Sequence, residues 1–234
     1  MDRPLIEAHS VSCRRPLGRS NESEIQSLSL SIWAREQVLL CGPPGSGRSL
    51  LLHLLGLLES PDSGSIRFDG EPVPAADQSS RSALRNRNFG FVFAAPYLLP
   101  DFSVAENVAM PLFKVAGAAP AQADATVQAL LEEVGLEGIA AVPAHQVEPS
   151  AQFRVALARA LALEPRVLVV EAPASGGRGG RDPAFTAALD RVRRARQLTC
   201  LEEGDATGAG APGARSIFLE RGRIATGGVR ATLA

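Results

Sequence analysis

Gly42-Pro43-Pro44-Gly45-Ser46-Gly47-Arg48-Ser49 is the stretch whose reading decides the fold. Its spacing is that of the phosphate-binding P-loop, G-x-x-x-x-G-K-[ST], with arginine where the motif has lysine. An apolar strand, Gln37-Val38-Leu39-Leu40-Cys41, precedes it, and an apolar helix from Ser49 to Leu58 follows, which is the context the motif requires. The glycines let successive backbone N–H groups turn inward on an anion, and the helix N-terminus adds its positive end. Gly42 through Leu50 are therefore the candidate nucleotide-binding residues, with Ser49 placing its hydroxyl on a magnesium ion. Arg48 keeps the charge of the lysine, but a planar fork needs different space from a compact ammonium, so the exchange is not conservative.

Working outward, Leu28, Leu30 and Ile32 alternate with serines as a half-buried strand does. Pro61-Asp62-Ser63-Gly64 makes a turn before a strand over Ser65–Gly70, and Phe89–Phe93 is a compact buried strand. Val127, Leu130, Leu131 and Val134 place Ala121–Val134 on a helix closed by Gly135, and Phe153–Leu163 is a second apolar helix. Arg166–Val170 is an unbroken aliphatic run, the pattern of a central parallel strand. A Gly/Arg-rich loop at Ser175–Arg181, a basic helix at Phe185–Arg196, an exposed loop at Ala206–Ala214 and a hairpin over Ile217–Ile224 complete the chain. Strands alternating with helices after a P-loop predict an α/β nucleotide-binding core.

Composition narrows the function. The 234 residues carry 24 Lys and Arg against 25 Asp and Glu, a net charge of −1, which gives no footprint for nucleic acid or a polybasic anchor. The N-terminus lacks a signal-peptide layout, and no apolar run is long enough for a bilayer span. Cys13, Cys41 and Cys200 show no metal or redox spacing and read as buried residues of a reducing compartment. A cytoplasmic protein is the expectation.

Leu51–Gly70, Leu84–Phe93 and the segment Leu98–Leu112 (LLPDFSVAENVAMPL) together resemble ATP-binding-cassette (ABC) ATPases. The last segment is especially similar to the LolD-type subunits of lipoprotein-releasing systems and their MacB-like and FtsE-like relatives. Arg154–Leu161 resembles the helix after the family signature, and Pro165–Pro173 resembles the Walker B strand. The resemblance implies a single nucleotide-binding domain over residues 1–234: a P-loop NTPase (RecA-like) core, about 1–93 and 154–234, with an antiparallel β subdomain and a helical subdomain at about 95–153. It also implies ATP and Mg2+ as ligands, and a homodimer or heterodimer of ATPase subunits. The permease partner would dock through residues 95–112, placing the chain on the cytoplasmic face of the inner membrane.

The same alignment exposes departures. The glutamine that senses magnesium and water corresponds to Ala94. The signature falls on Val147, Glu148, Pro149, Ser150 and Ala151, with a carboxylate and a missing N–H where a phosphate would be gripped. Walker B ends in Glu171, a candidate magnesium ligand beside Ser49, followed by Ala172 where the general base belongs. The switch histidine corresponds to Gly204, and the D-loop to Gly176–Asp182. The aromatic that stacks on adenine is absent from the stretch Arg14-Arg15-Pro16. Glu202 and Glu203 read as solvated strand-end residues, and His53 as packed among leucines. Hydrolysis is thus expected to be lost or weakened, leaving a structural or regulatory subunit; the alternative is an active ATPase energising export of lipoproteins or other hydrophobic substrates.

Overall fold

A computed structural model describes residues 3–17, 21–172, 182–204 and 213–231. These form two compact units, one of residues 3–85 and 199–231, the other of 86–172 and 182–198.

In the first unit, β1 (Ile6–Leu17) pairs antiparallel with both β2 (Asn21–Ile32) and β4 (Ser63–Phe68), and β5 (Glu71–Pro72) adds an edge, in the order β2-β1-β4-β5. Ile25, Leu28, Leu30 and Ile32 of β2 turn inward onto Ile6, Ala8, Val11 and Cys13, as the alternation predicts. In the other sheet of this unit, β3 (Gln37–Cys41) lies between two parallel neighbours, β8 (Thr199–Glu203) and β9 (Arg215–Glu220). The strand β10 (Arg223–Ala231) closes an antiparallel hairpin with β9. Every residue of β3 is buried, which is why it reads as a run rather than an alternation. The helix α1 (Arg48–Leu55) follows directly, burying Leu50, Leu51, Leu52, Leu54 and Leu55. It ends at Leu55, three residues before the predicted end, and the Gly56 N–H closes on Leu52 O.

The boundary between the units falls within α2 (Gln78–Asn88), a helix that buries no residue. Without an apolar stripe it gives no periodic signal, and the sequence reading missed it. In the second unit β6 (Phe89–Val92) and β7 (Val167–Val170) pair in parallel, with β7 fully buried. The helix α3 (Val104–Pro111) starts with a capping box between Ser103 and Glu106. It runs into a π-helical turn, Leu112–Ala116, ended by Gly117 in the left-handed region. The helices α4 (Pro120–Glu133), α5 (Pro149–Leu161) and α6 (Pro183–Arg196) each carry proline in the first turn, where its missing N–H has no intrahelical partner to lose. The proline start carries α5 four residues further back than the predicted Phe153. Arg196 grips both oxygens of the Glu133 carboxylate (Nε at 2.9 and 3.1 Å, Nη2 at 2.5 Å), so the basic stretch of α6 is partly structural. Ser175–Arg181 lies outside the described residues, as does most of the predicted loop at Ala206–Ala214, although Ala214 itself is buried. No helix among the described residues is long and apolar enough to cross a membrane.

Candidate functional site

The P-loop leaves β3 at Gly42 and is held on two sides. The Ser46 N–H bonds Pro43 O at 3.1 Å, and the Ser46 carbonyl accepts the N–H of Gly222, in the turn between β9 and β10, at 3.0 Å. Gly47, the N-cap of α1, has φ 98°, and a Cβ there would lie 2.8 Å from Glu24 O, so the chain needs glycine at this point. The unpaired N–H groups of the first turn of α1 open at the loop. Ser46 is 2% exposed, and its hydroxyl has no hydrogen-bond partner among the described residues. A buried hydroxyl left without a partner is costly unless a ligand satisfies it. Beside it lies a cavity of about 280 Å³ that Gly45, Ser46, Gly47, Arg48 and Ser49 line from one side and Arg15 and His53 from the other. His53 is therefore half-buried at a cavity wall rather than enclosed by leucines.

The side chains of Arg48 and Ser49 are bound to the end of β8. Arg48 Nη1 donates to Gly204 O at 2.5 Å, and the Ser49 hydroxyl donates to the Glu203 carboxylate. Glu203 is 6% exposed and Glu202 fully buried, with Gln37 Nε2 donating to Glu202 at 2.7 Å. Both glutamates thus differ from the solvated strand-end residues expected. The cause is register: Glu202 pairs with Leu39 and Glu203 with Leu40, so the acidic pair lies level with the last turns of the P-loop strand and under α1. The donor set fits a nucleotide phosphate, through the orphaned Ser46 hydroxyl and the glycine N–H groups. The oxygens of Ser49 and Glu203 are of the hard type that magnesium takes.

Gly204 meets a different constraint. A Cβ built on it would stand 2.6 Å from Cys41 Sγ, and Cys41 is fully buried. The position has no room for a side chain of any kind without displacing the sulfur.

In the second unit, Glu171 follows β7 half-buried, and its Oε2 accepts the backbone N–H of Ala94 at 2.8 Å. Ala172 succeeds it. Along the stretch before α5, Val147 is buried, Glu148 is the exposed N-cap without a side-chain capping bond, Pro149 is the first helical residue, Ser150 is exposed and Ala151 buried. Residues 96–103 are pinned from below. Arg159 donates to Pro96 O (2.7 Å) and Tyr97 O (2.8 Å), and buried Asn107 bonds Leu99 in both directions as well as Phe102 O and Ser103 O. This rigid backbone presents Tyr97, Leu99 and Phe102 exposed. Burial pushes the Arg159 pKa down.

Residues 25–175 match the ABC transporter family. The chain belongs to that family. Its cassette is 40% identical over 186 residues to the lipoprotein-releasing system ATP-binding protein LolD of Hyphomonas neptunium, covering 80% of this chain and 79% of the relative. It is 35% identical over 195 residues to the protein of the same name from Geobacter metallireducens, covering 83% and 86%. Among solved structures, the dimeric bacterial ABC transporter cassette MJ0796 superposes with a TM-score of 0.81 at 26% identity, covering 98% of this chain and all of that one. A post-hydrolysis dimer of the same cassette bound to ADP and Pi superposes with the same TM-score at 25% identity.

Within this ABC cassette, the sequence placed Glu203 at a strand end but not its burial beside the P-loop serine. The adjacent Glu202-Glu203 pair at the end of a hydrophobic strand was a usable signal, because two buried carboxylates need donors. Only the folded structure identifies those donors as Gln37 and Ser49.

Proposed function

We propose that this cassette is the ATP-binding subunit of a lipoprotein-releasing type of membrane complex, weakened or inactive in hydrolysis and acting as a structural or regulatory partner. ATP and Mg2+ bind at the P-loop, with Gly42–Ser49 cradling phosphate and the Ser49 hydroxyl as a metal ligand. When bound, the metal supplies charge neutralisation at the phosphates. Residues 95–112 dock on the permease through Tyr97, Leu99 and Phe102, which the Arg159 and Asn107 bonds hold in place. The subunit sits at the cytoplasmic face of the inner membrane and pairs with a copy of itself or with another cassette.

The observation that carries the weakened reading is the closed position at Gly204, which leaves no space for a switch side chain; Ala172, at the place of the general base, accepts no proton. Loss of a general base alone lowers rates about a hundred- to ten-thousandfold. ATP turnover by the purified complex, compared with Arg48→Ala and Glu171→Ala, is the test. Turnover at ordinary rates that disappears in both variants would sink this reading.

One observation favours the second reading, an active ATPase: a buried carboxylate, Glu203, stands at the P-loop serine and could accept a proton where Ala172 cannot. Glu203→Gln separates the two, since an active enzyme relying on Glu203 keeps ATP binding and loses turnover.

A further inference from the structure

A serine hydroxyl has a single proton to donate, and Ser49 directs that proton at the Glu203 carboxylate. What Ser49 has left for a ligand is its lone pairs, which a cation takes and a phosphate oxygen does not. The Glu203 carboxylate adds a negative charge at the same place, and it repels a phosphate. Arg48, the residue before, donates from Nη1 to Gly204 O at 2.5 Å. Two consecutive residues at the start of α1 are thus tied to two consecutive residues at the end of β8. The ties differ in consequence. A guanidinium has five donors and this bond uses one, whereas Ser49 has none to spare.

The acceptor side is the fixed side. The Cys200 N–H donates to Glu36 O at 2.8 Å and the Gly204 N–H to Leu40 O at 2.9 Å, so both ends of β8 are pinned to β3 and the residue before it. Between those bonds, Leu39 pairs with Glu202 and Leu40 with Glu203. Glu203 is 6% exposed, and its backbone belongs to this pinned strand. An anion that needs the Ser49 proton must therefore take it from a carboxylate that the sheet holds in place.

We infer that the end of β8 is an autoinhibitory latch on the P-loop: Glu203 holds the Ser49 hydroxyl, and bare polyphosphate enters only by breaking that bond against the carboxylate's charge. A divalent cation arriving with the phosphates lifts both obstacles, because it accepts the oxygens of Ser49 and Glu203 together. The Ser46 hydroxyl and the glycine N–H groups lie outside the latch and stay open to phosphate. This rests on the P-loop binding phosphate, as proposed above.

Two measurements on the purified chain test the latch, one on the ligand-free protein and one with tripolyphosphate. Hydrogen exchange follows the Leu51 amide, which donates to Gly47 O, and the Gly222 amide, which donates to Ser46 O. Glu203→Ala removes acceptor and charge together and should speed exchange at both about tenfold, the scale of a charge-assisted hydrogen bond. Glu203→Gln keeps an acceptor for Ser49 and should fall between. The Val134 amide, bonded to Leu130 O at the end of α4, should not change and reports an intact fold. Where Val134 exchange does rise in Glu203→Ala, Glu203→Gln against the parent decides by the same criterion. Calorimetric titration with tripolyphosphate in EDTA should rank Glu203→Ala tightest, Glu203→Gln next and the parent weakest. Excess Mg2+ should strengthen the parent about tenfold and leave Glu203→Ala nearly unchanged. Unchanged exchange at Leu51 and Gly222, with tripolyphosphate still bound, overturns the latch and spares the P-loop reading. Equal behaviour of the two variants in both assays leaves charge alone as the cause and also overturns it. Binding of tripolyphosphate by none of the proteins, with or without Mg2+, removes the P-loop reading and the latch together.

Discussion

Replacing Gly204 by alanine tests the steric closure at the end of β8 directly. The new Cβ would stand 2.6 Å from Cys41 Sγ and 3.6 Å from both Leu39 Cβ and Leu40 O. Ordinary contact begins at 3.4 Å, so the methyl and the sulfur must part by most of an ångström. Cys41 cannot withdraw easily, because it is fully buried on β3 between β8 and β9 and packs with Leu39 and Ala214. Inserting a methylene into such packing costs about 1–3 kcal/mol. The φ of Gly204 lies outside the left-handed region, so alanine recovers roughly 0.5 kcal/mol by restricting the unfolded chain. A net loss of about 1.5 kcal/mol follows, and at 2–4 °C per kcal/mol for a chain of this size the thermal midpoint falls by roughly 3–6 °C. Cys41→Ala removes the obstructing sulfur and by itself costs about 1 kcal/mol in lost burial. In the double variant the sulfur and the methyl no longer meet, so its loss should stay near that of Cys41→Ala, roughly 1.5 kcal/mol less than the sum of the singles. Urea denaturation of the four proteins measures the cycle. Additive losses, or a Gly204→Ala variant as stable as the parent, would refute the steric argument. Gly204→His should be destabilised still more, because the imidazole has no entry while Cys41 remains.

Glu203→Gln should tighten magnesium-free ATP. Two unit charges about 5 Å apart repel by about 1.7 kcal/mol at an effective dielectric near 40, roughly twentyfold in Kd. Added Mg2+ should shrink that gain, and unchanged affinity in both conditions removes Glu203 from the site. Arg159→Leu, which releases the carbonyls of Pro96 and Tyr97, should weaken co-purification with the permease subunit while ATP affinity stays the same; a parallel loss of both would point to global unfolding. Ser103→Ala should cost about 1 kcal/mol through loss of the α3 cap, read by thermal denaturation. Asp62 has its carboxyl held below the usual carboxylate range, first by the side chain of Arg15 and then by the Arg14 N–H. Its contribution to stability is therefore complete above pH 4 and fades as pH falls through its lowered folded value. The stability gap between the parent and Asp62→Asn should accordingly close in acid, and a gap that widens there contradicts the pairing.

The parts of this fold that were legible in sequence are those where one local force dominates. The P-loop announced itself because Gly47 occupies a backbone conformation that other residues reach only with strain, and β7 because a strand buried on both faces shows only aliphatic side chains. The helix α2 was not legible, since a helix with no buried residue leaves no periodicity to find. Glu203 was misjudged for a different reason. Its burial is decided by pairing Leu40 with a strand some 160 residues away in the chain, and no window along the sequence contains that contact. The same distinction separates two departures that look equivalent in an alignment. Lys114 is the only lysine of the chain, so arginine at position 48 agrees with a preference running through the whole sequence and says little about the site itself. The loss at Gly204 is of another kind. There the sulfur of Cys41 occupies the space a side chain would need, and recovery requires a second change on a neighbouring strand. Packing of that sort makes a side chain at position 204 hard to introduce, whereas Arg48 retains the charge that a phosphate requires.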